Sequence, residues 1–496
     1  MLPPCPPLFN LAAHVLGRAD DHPDKPALCV LHPQGAETLS FGALKSAVLG
    51  TASGLFALGL VTGDRVLMRL GNTVDFPILY LAALTVDLIP VPTSAQLTSP
   101  EITAMAALIR PALTVAAPGV ALPDPPGRIL TLDALRALRT NPPAAFAMGD
   151  PDRPGYIVFS SGTSGVARGV VHAHRAIWAR RTMVDGWYGL TADDRLLHAG
   201  AFNWTYTLGT GLMDPWAMGA TALIPGNDVG PADLAPLLAR HGATIFAAAP
   251  GVYRQMLRHD MAALPALRHG LSAGEKLPEA TRAAWHSATG TPIYEAYGMS
   301  ECSTFLSGSP TAPAPQGTLG RAQPGRRIAI RGDTGPLPAG QPGTIAIAAD
   351  DPGLMLGYLD APEATAEKFR DGWFITGDTG VMDATGAVTY LGRDDDMMNA
   401  GGYRVSPVEV EQALATFPGL HEAAVIEARV RSDTTVIAAL YTATAPLDET
   451  ALAAHCAARL ARYKCPRLFV HIDAIPRGAN NKILRRALRD QFKDRT

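Results

Sequence analysis

The chain has 496 residues, 47% of them hydrophobic and 18% charged, with a formal net charge of −3. Its length is about three times that of an ordinary domain of roughly 150 residues, and its apolar content excludes a disordered or tail-like chain. So small a net charge gives no general pull toward nucleic acid or anionic lipid, so nucleic acid is not expected and an anionic ligand has to be held by local groups.

The N-terminus carries Pro3, Pro4, Pro6 and Pro7 and no basic segment before the apolar stretch 8–16, which argues against a secretory signal. Residues 76–86, the longest strongly apolar stretch, lie between Asp75 and Asp87 and fall far short of the ~20 residues that cross a bilayer, so no membrane partner is expected. Cys5, Cys29, Cys302, Cys456 and Cys465 are scattered and form no Cys-x-x-Cys pair, which fits a reducing, cytoplasmic location. The 48 glycines and 42 prolines break the chain into short elements. Apolar bursts at 27–30, 66–68, 156–159, 244–247 and 344–348 alternate with helix-period stretches at 43–58 and 231–240. The expected fold class is α/β: a large N-terminal domain of several subdomains with helix-covered sheets, then a small mobile C-terminal α/β lid.

The division is expected at the Asp-rich turn 394–396, giving domains 1–393 and 394–496. In the second, Ser406-Pro407-Val408-Glu409 spells a helix start with a serine cap, a first-turn proline and a glutamate three residues on, for a helix to about 417. Strands at 423–427, 435–441 and 468–472 and helices at 452–463 and from about 482 complete it.

The chemistry is concentrated in a few segments. An apolar strand ending near 159 runs into Ser160, Ser161, Gly162, Thr163, Ser164 and Gly165, small residues that let backbone N–H groups converge on a phosphate. No lysine closes it as in a Walker loop, and alone it reads equally as a surface turn. Further on come Ala273-Gly274-Glu275, Tyr297-Gly298-Met299-Ser300-Glu301, Thr376-Gly377-Asp378, Gly392-Arg393 and Pro476-Arg477-Gly478-Ala479-Asn480-Asn481-Lys482. In that order and at those separations, over about residues 9–488, they resemble the adenylate-forming superfamily of acyl-CoA synthetases, adenylation domains and luciferases.

The resemblance implies activation of a small carboxylic acid by ATP as an acyl adenylate, then transfer to coenzyme A with release of AMP. It assigns the 160–165 loop to the β- and γ-phosphates, Glu301 to Mg²⁺, Ser300 to the α-phosphate and Tyr297 to the adenine, with Gly274, Glu275 and Arg168 as further cofactor-binding residues. Asp378 would accept from the ribose hydroxyls with Arg393 beside it, and Lys482 would contact carboxylate and α-phosphate together. Asp395 takes the hinge position, and Gly402 lies on the loop that lines the pantetheine tunnel after the lid rotates. The family's loop usually ends Gly-x-Pro-Lys-Gly; here Arg168 stands in the lysine's place. Asn480-Asn481 replace the usual Ser/Thr-Gly before the catalytic lysine.

Segments 272–278 and 202–209 look most like the benzoate–CoA ligase branch, which implies an acyl pocket of Thr205, Tyr206, Ala273, Gly298, Thr304 and Phe305. Bulk at 206 and 305 suits an aryl or short-chain acid. The hydroxyls of Thr205 and Thr304 serve either a substrate hydroxyl, which keeps a short-chain hydroxy acid open, or backbone groups. A stand-alone enzyme loading a carrier protein, or a degenerate nucleotide-binding regulator, are the other readings; a homodimer is allowed. His172 and His174 lack a third ligand for zinc. Cys302 is expected to line the pocket, and Arg485, Arg486 and Arg489 to form a solvated face.

Overall fold

A computed structural model describes residues 3–160, 168–393, 396, 398–400, 403–431, 434–460, 462–478 and 483–493. Among them, nine strands make a mixed sheet in the order Arg321–Ala322, Ser303–Ser307, Ile293–Met299, His269–Ser272, Ile245–Ala248, Arg195–His198, Thr221–Pro225, Pro26–His32 and Gly35–Ser40. From Ile293–Met299 across to Pro26–His32 the strands run parallel, with antiparallel partners outside. Parallel strands bury both faces, which explains why 244–247 reads as an unbroken apolar burst. Leu196, Ile245, Ala247 and Leu271 pack with Trp187, Tyr188 and Tyr206 on one face, while Leu197, Phe246 and Ala248 pack with Leu234, Leu237 and Trp285 on the other.

A parallel sheet of Ile89–Pro92, Arg65–Arg69, Leu113–Ala116 and Ile129–Thr131 stands beside the hairpin Pro154–Ser160/Arg168–Ala173, to which Gly357–Tyr358 adds a strand. Strands Ile328–Gly332, Pro342–Ala348, Trp373–Met382 and Val388–Arg393 form an antiparallel sheet. The stretch 43–58 is the helix Phe41–Ala57, started by Ser40, whose Oγ accepts from Ala43 N at 3.2 Å. The apolar segment before Asp87 is the helix Asp75–Thr85, buried along its whole length. Arg136, at 2.7 Å, and Arg139 neutralise its buried Asp75. Among the described residues no helix is long and apolar enough to cross a membrane.

The C-terminal unit has its own core. Leu420–Arg431 pairs antiparallel with Thr434–Ala443, which pairs parallel with Leu468–His471. Val425, Ile437 and Ala439 face the helices Pro407–Leu414 and Glu449–Ala457, and Ala424, Ile426 and Leu440 face Leu488 and Phe492 of Arg485–Lys493. Ser406 Oγ accepts from Glu409 N at 3.2 Å, but the Glu409 carboxylate bonds Lys464 Nζ at 2.6 Å instead of reaching back to the cap. The helix expected over 452–463 ends at Ala457; Pro466 excludes helix at the residue before it, and only a single 3-10 turn, Arg462–Lys464, lies between. Arg485 and Arg489 are not on a solvated face. Arg485 forks onto both oxygens of the half-buried Glu411, at 2.6 and 2.7 Å, and lies 3.7 Å from Asp396, which Arg489 reaches at 3.1 Å. A carboxylate taken out of water beneath a sheet needs a cation, and the final helix supplies it.

Four histidines are buried neutral. Burial lowers His172 and His269 from the usual 6.5 to about 4, and His174 and His198 to about 3. His172 lies in the strand Arg168–Ala173 and His174 just beyond its end, and each ring is engaged by backbone: His172 Nε2 at 2.7 Å from Ser300 O, and His174 Nδ1 accepting from Leu11 N at 3.0 Å. In the unfolded chain these rings bind a proton near pH 6.5, and in the folded chain only near pH 4 to 3, so their stabilising contribution is complete above 6.5 and is lost as pH falls toward 4. Urea midpoints should therefore be flat from pH 8 to 7 and fall steadily between 6.5 and 4.5. His198→Phe, which removes one such group, should show a shallower fall; an identical slope would contradict the assignment.

Candidate active site

Ser160 and Arg168 face each other as the last pair of the hairpin Pro154–Ser160/Arg168–Ala173, so the small-residue loop is its tip. Ser161, Gly162, Thr163, Ser164 and Gly165 lie outside the described residues, as do Asp395, Gly402 and Lys482. From this hairpin two contacts run toward the turn that carries Ser300 and Glu301. His172 Nε2 meets the Ser300 carbonyl, which requires the proton on Nε2. Arg168 lies over the ring of Tyr358, 5.2 Å from its centroid, and the Tyr358 hydroxyl donates to Glu301 Oε1 at 2.7 Å.

Ser300 and Glu301 form the turn between Ile293–Met299 and Ser303–Ser307. This hairpin brings several sequence-assigned residues to one place. Gly298 pairs with Thr304 beside a register shift at Tyr297, and a Cβ on Gly298 would fall 2.1 Å from Ser303 O, so no larger residue fits. Tyr297 packs edge-on against Phe305, with ring centroids 5.1 Å apart, and its hydroxyl donates to Asp378 Oδ2. Asp378 lies opposite Arg393 in the next strand pair, with Arg393 Nη1 3.3 Å from Oδ1, and Thr376 Oγ1 accepts from Asp378 N at 3.1 Å. Burial and the Asp378 carboxylate hold the Tyr297 phenol far above its usual pKa, so it remains a donor. Two segments 81 residues apart, assigned to adenine and to ribose, thus touch directly.

Gly274 follows the strand His269–Ser272 with φ +96°, and a Cβ there would lie 2.7 Å from Trp204 Cζ2. Glu275, next to it, pairs with Arg477 of the lid at 3.6 Å. Arg477 also bonds Glu422, which Arg254 of the large domain holds at 2.9 Å. Arg477 and Ile483 form an isolated antiparallel bridge. Arg477 thus pairs with Ile483 on one side and stands against Glu275 of the large domain on the other.

On the acyl side, Tyr206 is fixed by its hydroxyl to Leu271 O at 3.2 Å and by edge-on packing on His198 and Trp204, at 4.3 and 5.1 Å. Ala273 and Phe305 are buried and Thr205 is half-buried. The Thr304 hydroxyl is turned into the protein, donating to Met183 Sδ at 3.2 Å and accepting from Gln323 Nε2 at 3.5 Å. Cys302 does not line a pocket: its Sγ lies 3.8 Å from Asp351 and 3.4 Å from Arg326, and burial raises its pKa. Trp204, Tyr358 and Arg477 are residues to which motif reading gave no role of their own. The first had a signal in its place between Asn203 and Thr205 of the aromatic segment, and the third in the loop before Lys482; Tyr358 had none beyond a Gly-Tyr pair.

Among the described residues no group of three or more His, Cys, Asp or Glu could hold a metal ion. A cation here would have few protein ligands, which is how a hard ion shared with nucleotide phosphates is held, and the Glu301 carboxylate, 8% exposed, is the donor of that kind.

The sequence pattern of the AMP-binding enzyme family matches residues 16–359, and that of the AMP-binding enzyme C-terminal domain matches residues 409–482. A 3-hydroxybenzoate–CoA ligase of Aromatoleum sp. (strain CIB) is 29% identical over 98% of this chain and 97% of that protein. The structure superposes on ATP-bound MatB from Rhodopseudomonas palustris with a TM-score of 0.88 and 28% identity, over 98% and 99% of the two chains. It superposes on a benzoate CoA ligase from Burkholderia xenovorans LB400 with a TM-score of 0.87 and 26% identity, over 97% and 100%. The chain belongs to the AMP-binding enzyme family, the adenylate-forming superfamily, in its benzoate–CoA ligase branch, and is an AMP-forming acid–thiol ligase.

Proposed function

We propose that the chain joins a benzoate-sized aryl carboxylic acid to coenzyme A, using ATP, through an enzyme-bound acyl adenylate. The observation that carries this is one hairpin that holds Tyr297, bonded to Asp378, together with Glu301 in its turn and the buried Phe305 packed against Tyr297. Asp378 accepts from the ribose hydroxyls, Gly274 and Glu275 border the adenine with Tyr297, and Ser160 and Arg168 anchor the loop at the β- and γ-phosphates. Glu301 holds Mg²⁺, which when bound offsets phosphate charge. Lys482 reaches the substrate carboxylate and the α-phosphate, drawing two anions together; a carboxylate oxygen bonds to the α-phosphorus as the bond to pyrophosphate breaks. The CoA thiol then attacks the acyl carbonyl and AMP departs with that oxygen.

The division between the domains is at 393/394, and the lid turns about Asp395. The grip of Arg485 and Arg489 on Asp396 supports this, since it makes Asp396 part of the lid. After turning, the face around Gly402 meets the pantetheine arm. Lys482→Ala should then abolish pyrophosphate exchange from acid and ATP, while converting a chemically prepared acyl adenylate and CoA to thioester at near the unaltered rate. Equal loss of both half-reactions in a folded variant would contradict the division of labour.

The pocket is short because Tyr206 is pinned to Leu271 O and Phe305 is pinned by Tyr297. Relatives acting on benzoate and 3-hydroxybenzoate support an aryl acid. Release of AMP dependent on CoA should favour benzoate-sized acids over dodecanoate, whose additional CH₂ groups find no apolar volume to enter. Of the two pocket threonines, Thr304 has its hydroxyl taken by Met183 and Gln323, whereas Thr205 has no side-chain partner among the described residues, so Thr205→Val should cost a hydroxybenzoate roughly fivefold more in kcat/KM than benzoate. Thr304→Val should lower both equally. A preference for dodecanoate would overturn the pocket reading.

A further inference from the structure

We propose that Tyr358 is a positioning residue that fixes the Glu301 carboxylate for the divalent cation. The inference rests on the reading that Glu301 holds that cation. Glutamate has three rotatable side-chain bonds, and a carboxylate that swings presents its lone pairs in many directions; a hydrogen bond to one oxygen restricts the other. The Tyr358 hydroxyl makes that bond, at 2.7 Å to Glu301 Oε1. A phenol hydroxyl this close to a carboxylate oxygen donates its O–H to it.

Tyr358 is held well enough to serve. Its strand pairs antiparallel with Arg168–Ala173, Tyr358 opposite Val170 and Gly357 opposite Val171. Its N–H donates to Thr365 Oγ1 at 2.9 Å, and Met355, three residues before it, donates its N–H to Glu301 O at 2.7 Å. One segment therefore grips Glu301 at both backbone and side chain. Arg168 lies over the Tyr358 ring, and a planar guanidinium suits an aromatic face better than the ammonium of the family's usual lysine. The phosphate hairpin and the carboxylate turn are thus joined through one phenol.

The test uses Mn²⁺ as the metal probe, titrated by electron paramagnetic resonance into the full-length protein saturated with α,β-methylene ATP. Four proteins are compared: unaltered, Tyr358→Phe, Glu301→Gln and the double variant. Tyr358→Phe keeps the ring beneath Arg168 and should weaken Mn²⁺ binding roughly tenfold, the size expected of a lost outer-shell partner. It should lower kcat with the KM for the acid unchanged. The double variant should bind no more weakly than Glu301→Gln, because the hydroxyl acts through that carboxylate. Unchanged Mn²⁺ affinity in Tyr358→Phe, or a full further loss on top of Glu301→Gln, would overturn the proposal. Unchanged affinity in Glu301→Gln would instead remove the metal reading of Glu301 on which it stands.

Discussion

At Gly298 two strands come so close that a β-carbon would lie 2.1 Å from Ser303 O and 2.4 Å from Thr304 Cα. That approach sets where the rest of the site stands. The register shift at Tyr297 turns its phenol toward Asp378, the intervening turn carries Ser300 and Glu301, and the returning strand delivers Phe305. Ser303 begins that strand at φ +62°, a conformation that costs a serine something, and the surroundings impose it. Arg180, buried and paired with Asp214 at 2.6 Å, donates to Ser303 Oγ. A buried ion pair on the far side of the turn therefore restrains the residue from which the acyl-pocket strand starts.

The reaction requires a carboxylate and a triphosphate to approach one another, and no single element supplies the positive charge. In the proposed assignment Arg168 comes from the end of the hairpin Pro154–Ser160/Arg168–Ala173, Arg393 from the end of the large domain and Lys482 from the small C-terminal domain. The lid's approach is itself made of charges: Arg254, Glu422, Arg477 and Glu275 run in sequence across the two domains. Pairs of this partly exposed kind are individually weak. A chain of them would suit the proposed turning of the lid, because it can orient a domain without locking it in place.

Much of this was legible in the sequence because adenylate chemistry needs short runs of particular residues. The Ser406 cap, the helix Pro231–Arg240 and the buried strands followed from local pattern, and Tyr297 touches Asp378, which lies opposite Arg393. What local pattern did not reveal was direction. Thr304 reads as a hydroxyl offered to substrate, yet its neighbours Met183 and Gln323, 121 and 19 residues away, take it. Arg485 and Arg489 read as a wet stripe, since nothing in the helix announces that Glu411 and Asp396 lie beneath. Tyr358 gains its meaning only from strand pairing with Val170, a contact across nearly two hundred residues.

The central claim is that one cleft binds adenine, ribose and aryl acid in line, from Gly274 and Tyr297 through Asp378 to Tyr206 and Phe305. A crystal structure with a non-hydrolysable benzoyl-adenylate analogue tests it most directly. The account predicts the ribose hydroxyls within hydrogen-bonding distance of Asp378 and the benzoyl ring between Tyr206 and Phe305. An analogue bound with its ribose away from Asp378, or with its ring outside the Tyr206–Phe305 wall, would contradict it.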